Sequence, residues 1–231
     1  MGSTVAIIPA RTGSKGVVGK NLLSFCGKPL LAWSIKQALA ADGVDSVWVS
    51  SDGEEILEVA RAYGARAIKR PVEISSDTAA SESAWLHALE VISGQGLAVD
   101  WVVGMQVTSP IREPEDIGRA LKQVKEERLD SLLSVVEIED FFTWRVDESG
   151  QAQSVNYDYR DRKPRQHIEK RYLENGSFYI FRPELLRALN NRLGGKIGMY
   201  VMAHHKMFQI DNLADVALCE AIMRGFGIDR W

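Results

Sequence analysis

At 231 residues, with 45% hydrophobic and 26% charged side chains, the chain is long enough to bury the core of one large domain. A net charge of −3 leaves no basic excess of the kind that nucleic-acid binding draws on, and no apolar run approaches the length of a membrane span. Cys26 and Cys219 are too few for a disulfide framework and have no metal-ligand spacing, which suits a soluble protein of the reducing cytoplasm.

The chain opens on an apolar run, Val5-Ala6-Ile7-Ile8-Pro9-Ala10, expected as a first strand. Directly after it comes Arg11-Thr12-Gly13-Ser14-Lys15-Gly16-Val17-Val18-Gly19-Lys20-Asn21. The glycines let the backbone turn sharply and point N–H groups inward, while Arg11, Lys15 and Lys20 add positive charge. Glycines at 13, 16 and 19 do not match the dinucleotide fingerprint. The Walker loop fails too, because its spacing is wrong and Asn21 stands where a hydroxyl residue would hold magnesium. A strand, a basic glycine-rich loop and then a helix read as a phosphate-binding mouth; a solvated basic loop is the plainer alternative.

A helix is predicted over 29–41, a strand over 46–50 ending at Ser51-Asp52-Gly53, a helix over 54–63 and a strand over 65–69 stopped by Arg70-Pro71. Further on, a helix is expected over 78–93, a buried strand over 100–107 ending in Thr108-Ser109-Pro110, a helix over 114–127 and a strand over 131–136. Strands separated by helices predict an α/β fold of three layers, a largely parallel sheet with crossovers on both faces. Ligands of such sheets collect at the carboxyl ends of the strands. The basic loop, Ser51-Asp52, Arg70 and the 106–109 segment all fall at such ends.

Residues 141–172 break the alternation. A hairpin is predicted from 143–146 and 152–157, followed by a charge-rich stretch with Arg160, Arg162, Lys163, Arg165, Lys170 and Arg171. It reads either as a solvated loop or as an arm carrying cations to an anionic substrate. Regular structure is expected to resume with a strand at 176–181, a helix from 183, a strand at 197–203 and a helix over 213–224. With no internal repeat or low-complexity linker, 1–231 is expected to be one domain with an excursion. Trp33, Trp48, Trp85 and Trp101 fall on apolar faces and are expected in the core; His204-His205 has no partner at metal spacing.

Ile7-Ile8-Pro9-Ala10-Arg11-Thr12-Gly13-Ser14-Lys15-Gly16 with Gly19-Lys20-Asn21-Leu22 resembles the opening of the acylneuraminate cytidylyltransferases, the CMP-sialic acid synthetases. Met105-Gln106-Val107-Thr108-Ser109-Pro110-Ile111-Arg112 resembles the second signature of that family, and Tyr172-Leu173-Glu174-Asn175-Gly176-Ser177-Phe178-Tyr179 a third. The resemblance implies a nucleotidyltransferase-type fold and a reaction that joins CTP to a nine-carbon 2-keto sugar acid, releasing pyrophosphate. It implies nucleotide binding by Arg11, Gly13, Ser14, Lys15, Gly16, Lys20, Asn21, Arg70 and Ser81, with Arg11, Lys20 and Asp211 catalytic. Gln106, Thr108, Ser109, Arg165, Asn175 and Tyr179 would hold the sugar acid.

By the same resemblance the 141–172 excursion is a dimerisation arm. Its Arg165 would reach the neighbouring subunit, which implies a homodimer, or a dimer of dimers, with shared sites. Magnesium is the implied cofactor, with Asp211 as its ligand and Asp215 a poorer second. The family usually carries two aspartates one residue apart at this point, and this chain has Gln209-Ile210-Asp211. Asp211 could also serve as the N-cap of the last helix. Legionaminic, pseudaminic, ketodeoxynonulosonic and the eight-carbon Kdo acids are alternative acceptors. A noncatalytic nucleotide sensor is an alternative function, motivated by Gln209.

Overall fold

The structure is a computed structural model and describes residues 2–13, 16–76, 80–138, 141–164 and 167–230. Its first half follows the predicted alternation. β1 (Ser3–Pro9), β4 (Ser46–Ser51), β5 (Arg66–Lys69) and β6 (Val99–Met105) are strands, linked by the helices α1 (Leu30–Leu39), α2 (Glu54–Ala62) and α3 (Ser81–Gly94). A small hairpin of β2 (Ser24–Phe25) and β3 (Lys28–Pro29) precedes α1 and was not legible in the sequence. Its two-residue turn holds Cys26 and Gly27 at φ 44° and 76°, and cysteine is not a residue that advertises a left-handed turn.

The second half adds α4 (Pro114–Glu126), β7 (Ser131–Ile138), the arm strands β8 (Trp144–Val146) and β9 (Ala152–Ser154), and β10 (Arg171–Phe181). Last come α5 (Pro183–Leu189), β11 (Ile197–Met202) and α6 (Leu213–Gly225). Seven strands form one sheet in the order β11-β7-β10-β6-β1-β4-β5. β10 runs antiparallel to both of its neighbours, and the other pairings are parallel. β10 begins five residues before the predicted start, at Arg171 rather than Gly176. The register slips between Glu174 and Tyr179, and Gly176 sits at φ 62°, so a bulge interrupts the alternation that marks a strand in sequence.

Alternation along the strands builds the two cores. Val103 and Met105 of β6 face a cluster that includes Leu31 and Ile35 of α1, Ile117 and Leu121 of α4, and Met223 of α6. Val102 faces the opposite cluster, with Trp85, Leu89 and Ile92 of α3 and Leu186 of α5. The sheet is thus covered on both faces, giving the expected three layers. Gly104 permits the packing of α3, since a Cβ there would lie 2.8 Å from Cζ2 of Trp85. Trp33, Trp48, Trp85 and Trp101 are all buried.

The segment after β6 is fixed by a fully buried guanidinium. Arg112 donates from Nη1 to the Ser177 carbonyl (2.8 Å) and from Nη2 to the Gln106 carbonyl (2.6 Å) and Ser34 Oγ (3.0 Å). Gln37 Nε2 of α1 reinforces this by donating to the carbonyls of Pro110 and Arg112 at 2.9 and 2.8 Å. Burial pulls Arg112 down to about 9, against a weaker opposite pull from Asp116, so it stays charged at neutral pH. Arg112→Met should cost about 3–5 kcal/mol, because it leaves several buried acceptors without donors. The check is urea unfolding, in which the midpoint falls with an unchanged slope.

Candidate functional site

The parallel strands β1, β4, β5 and β6 end on the same edge of the sheet, and a cavity of about 550 Å³ lies there. It brings together Arg11, Gly16, Lys20 and Asn21 from the first loop, Arg70 from the end of β5, and Ser81 from the start of α3. Gln106 and Thr108 after β6 and Asp211 before α6 complete the predicted residues on its wall. Pieces of chain from Arg11 to Asp211 therefore share one cleft, although no local pattern joins them.

The first loop is tied down at both ends. Thr12 donates to Asp52 twice, from its backbone N–H to Oδ1 (3.0 Å) and from its hydroxyl to Oδ2 (2.6 Å). Burial raises the Asp52 carboxyl, but the hydrogen bonds from Thr12 outweigh it and hold the group below its ordinary value. At the far end Gly19 adopts φ 65°, a three-residue 3₁₀ turn covers Lys20–Leu22, and Asn21 Nδ2 donates back to the Arg11 carbonyl at 2.8 Å. The three glycines are not equivalent. Gly19 supplies the left-handed turn; Gly16 supplies close approach, since a Cβ there would sit 2.0 Å from the Asp211 carbonyl oxygen. Gly13 does neither: it is exposed and, among the described residues, a Cβ would meet no atom within 4 Å.

Charge in the cleft is concentrated and partly desolvated. Arg70 is buried and donates from Nε to Ser75 Oγ at 3.0 Å. Its burial lowers its pKa; Asp52 opposes that shift and Arg11 adds to it, placing two guanidinium groups within each other's field. Lys20 is largely covered and donates from Nζ to the Ile210 carbonyl at 2.7 Å, with Asp211 Oδ1 at 3.5 Å. Cations held this way attract an anion with many oxygens, such as a polyphosphate.

Asp211 proves not to be the cap of the last helix. Asn212 is the N-cap of α6, its Oδ1 accepting from the N–H groups of Ala214 and Asp215. Asp215 closes the capping box by accepting from the N–H groups of Asp211 and Asn212 (2.8 and 2.9 Å). Asp215 thus engages the backbone through Oδ2 and does not line the cleft, whereas the exposed Asp211 carboxylate faces it beside Lys20. Among the described residues, no three His, Cys, Asp or Glu side chains group to hold a metal ion.

Three predicted sugar contacts are redirected by the structure. Asn175 is fully buried and all four of its hydrogen-bonding positions are filled. Its Oδ1 accepts from Ser134 Oγ and the Ser177 N–H, and its Nδ2 donates to Met202 Sδ and the Lys206 carbonyl. It pins β10 to β7, β11 and the 204–207 turn. Ser109 is buried and donates to the Asn175 carbonyl at 3.2 Å. The Tyr179 hydroxyl donates to Glu174 Oε1 and accepts from Arg192 at 3.4 Å, and burial followed by the Glu174 bond pushes its pKa up to about 12. Ser14, Lys15 and Arg165 lie outside the described residues.

Sequence reasoning missed the part of the wall made by Ile74, Ser75, Ala84 and Trp85. Trp85 carries an apolar-face signal and is fully buried, so nothing in its periodicity reports that it also backs the cleft. His205, which the sequence left unassigned, stacks on Phe226 at 3.7 Å between ring centroids. In the arm, Phe142, Trp144, Tyr157 and Tyr159 form a chain of ring contacts, and Arg162 lies over Phe142.

A family model described as cytidylyltransferase matches residues 5–221. N-acylneuraminate cytidylyltransferase A of Danio rerio is 35% identical over 224 residues, covering 96% of this chain and 51% of that protein. Pseudaminic acid cytidylyltransferase of Campylobacter jejuni subsp. jejuni serotype O:23/36 (strain 81-176) is 29% identical, covering 95% of this chain and 96% of that one. The chain spans about half the length of the fish relatives it matches. Among solved structures, a CMP:2-keto-3-deoxy-manno-octonic acid synthetase complexed with CTP superposes with a TM-score of 0.71 at 20% identity, covering 97% of this chain and 99% of that one.

Two outcomes follow from this geometry. Gly16→Ala should lower kcat/KM by about a hundredfold and lower Tm as well, since backbone must move against backbone to admit the methyl group; steady-state kinetics and a thermal melt measure both. The Thr12–Asp52 anchor should contribute stability that is fully present above pH 3.8 and lost as the pH falls through the depressed folded value. Urea unfolding of wild type and Asp52→Asn should differ at neutral pH and converge below 3.8.

Proposed function

The chain belongs to the cytidylyltransferase family, and we propose that it joins CTP to a nine-carbon 2-keto sugar acid, giving the CMP-sugar and pyrophosphate. The observation that carries this reading is the convergence of Arg11, Lys20 and Arg70 on one cleft at the carboxyl edge of a parallel sheet. Two relatives that span most of this chain are named for nonulosonic acids, the acylneuraminate and pseudaminic types, which supports that acceptor class.

In this reading the first loop and Lys20, Asn21, Arg70 and Ser81 hold CTP, while Gln106 and Thr108 line the acceptor end. The C2 hydroxyl of the sugar acid attacks the α-phosphorus, the bond to the bridging oxygen breaks, and pyrophosphate departs. Negative charge grows on the phosphoryl oxygens and the leaving group, so fixed cations favour the transition state over the ground state. Arg11 and Lys20 supply that charge. The Lys20 ammonium is already held by the Ile210 carbonyl, so little reorganisation is required of it.

An exposed carboxylate is a hard oxygen donor of the type that suits magnesium, and Asp211 would hold that ion together with the triphosphate. When bound, magnesium supplies charge neutralisation across the phosphates. A two-stranded hairpin is marginal alone, and β8 exposes Trp144 and Val146; these features support a homodimer in which the arm packs on a second subunit. Arg165 is assigned to the shared acceptor site on the resemblance alone. The proposed setting is the cytoplasm, which two cysteines without a disulfide framework support; no helix among the described residues is long and apolar enough to cross a membrane.

The direct test is pyrophosphate release from CTP and magnesium with N-acetylneuraminic, ketodeoxynonulosonic, legionaminic, pseudaminic and Kdo acids. Release with one nine-carbon acid, lost in Arg11→Ala, is the expected result. CTP binding without release on any acid would overturn the reading in favour of a nucleotide sensor.

A further inference from the structure

Gln209 belongs to the segment that delivers Asp211 to the cleft. Different elements hold that segment. The Ile210 N–H donates to the Thr108 carbonyl at 2.8 Å, and the Ile210 carbonyl accepts from Lys20 Nζ at 2.7 Å. The Gln209 side chain reaches β10, where its Nε2 donates to the Asn175 carbonyl at 2.9 Å. That carbonyl also receives the Ser109 hydroxyl and lies in the bulge, next to the left-handed Gly176. A Cβ on Gly176 would sit 3.0 Å from both Gln106 Oε1 and Gln209 Nε2, so the two amides flank the bulge.

We propose that Gln209 is a positioning residue, whose amide N–H pins the Asp211 segment to the bulge of β10 and so fixes the carboxylate in the cleft. An amide fits this place. The Asn175 carbonyl accepts from both the Ser109 hydroxyl and Gln209 Nε2, and an ionised acid at 209 would set acceptors against that carbonyl in place of the donor. The neutral side chain is therefore a built feature of this site, and a carboxylate in its place would weaken the site. The inference rests on the cleft being the site of nucleotidyl transfer.

The experiment compares wild type with Gln209→Met, which keeps the length and removes the donor, and Gln209→Asp, which adds a carboxylate. Assayed well below Tm, both should lose about tenfold to a hundredfold in kcat with KM for CTP nearly unchanged. An aspartate variant equal to or faster than wild type would overturn the proposal, and so would a methionine variant that lowers Tm with kcat intact. Amide exchange at Ile210 reads the pin without turnover and should be faster in Gln209→Met. Unchanged exchange sinks the pin even if wild type is inert on every acid, an outcome that would separately remove the proposed reaction.

Discussion

The cleft depends on a positive charge that never touches solvent. Taking a guanidinium out of water is costly, and Arg112 remains inside because carbonyls from two chain segments and a serine hydroxyl receive its N–H groups. The acceptors come from α1, from the end of β6 and from β10, which meet only when the sheet is complete. One side chain thus sets where Gln106 leaves the sheet and where β10 bends. Because these are backbone carbonyls, the constraint falls on the course of the chain itself.

A second buried cation fixes the chain just before the segment that carries Asp211. Lys206 donates at 2.7 Å to both Glu113 and Asp116, the residues that form the capping box of α4. Burial lowers its pKa, but the attraction of Asp116 and the hydrogen bonds outweigh it, so the net shift is upward. Its stabilising effect is accordingly present below 10.5 and lost only as the pH rises through the folded value. The Lys206 carbonyl receives Asn175 Nδ2, which links this pair to the Arg112 network through β10. The segment carrying Gln209 and Asp211 therefore leaves from a fixed point. Arg112 and Lys206 are structural cations; Arg11, Lys20 and Arg70 are the cations that line the cleft.

Much of the fold was legible in the sequence because its elements are written locally. Residues 46–51 and 99–105 are short apolar runs, and 114–126 carries a proline at its first turn with apolar residues at helical spacing. The glycine-rich loop was legible for the same reason, since a backbone that turns sharply needs glycine near the turn. What escaped was non-local. The antiparallel insertion of β10 between β6 and β7 follows from pairings with strands far away in sequence. Its bulge also hid its first five residues.

The site divides along the same line. The sequence by itself determined which residue types stand at the ends of the parallel strands, and so named the first loop, Arg70 and Gln106 as a group at one edge of the sheet, while Asp211 was named by the family resemblance alone. Only the tertiary structure decided which polar groups of the matching motifs face the cleft and which serve the core. Asn175 and Ser109 carry the right chemistry at the right places in their motifs, yet groups from distant parts of the chain take their hydrogen bonds, while the Tyr179 hydroxyl is taken by Glu174 of its own strand. A polar group removed from water must find a partner wherever the fold supplies one, and for Asn175 and Ser109 that partner lies far along the chain.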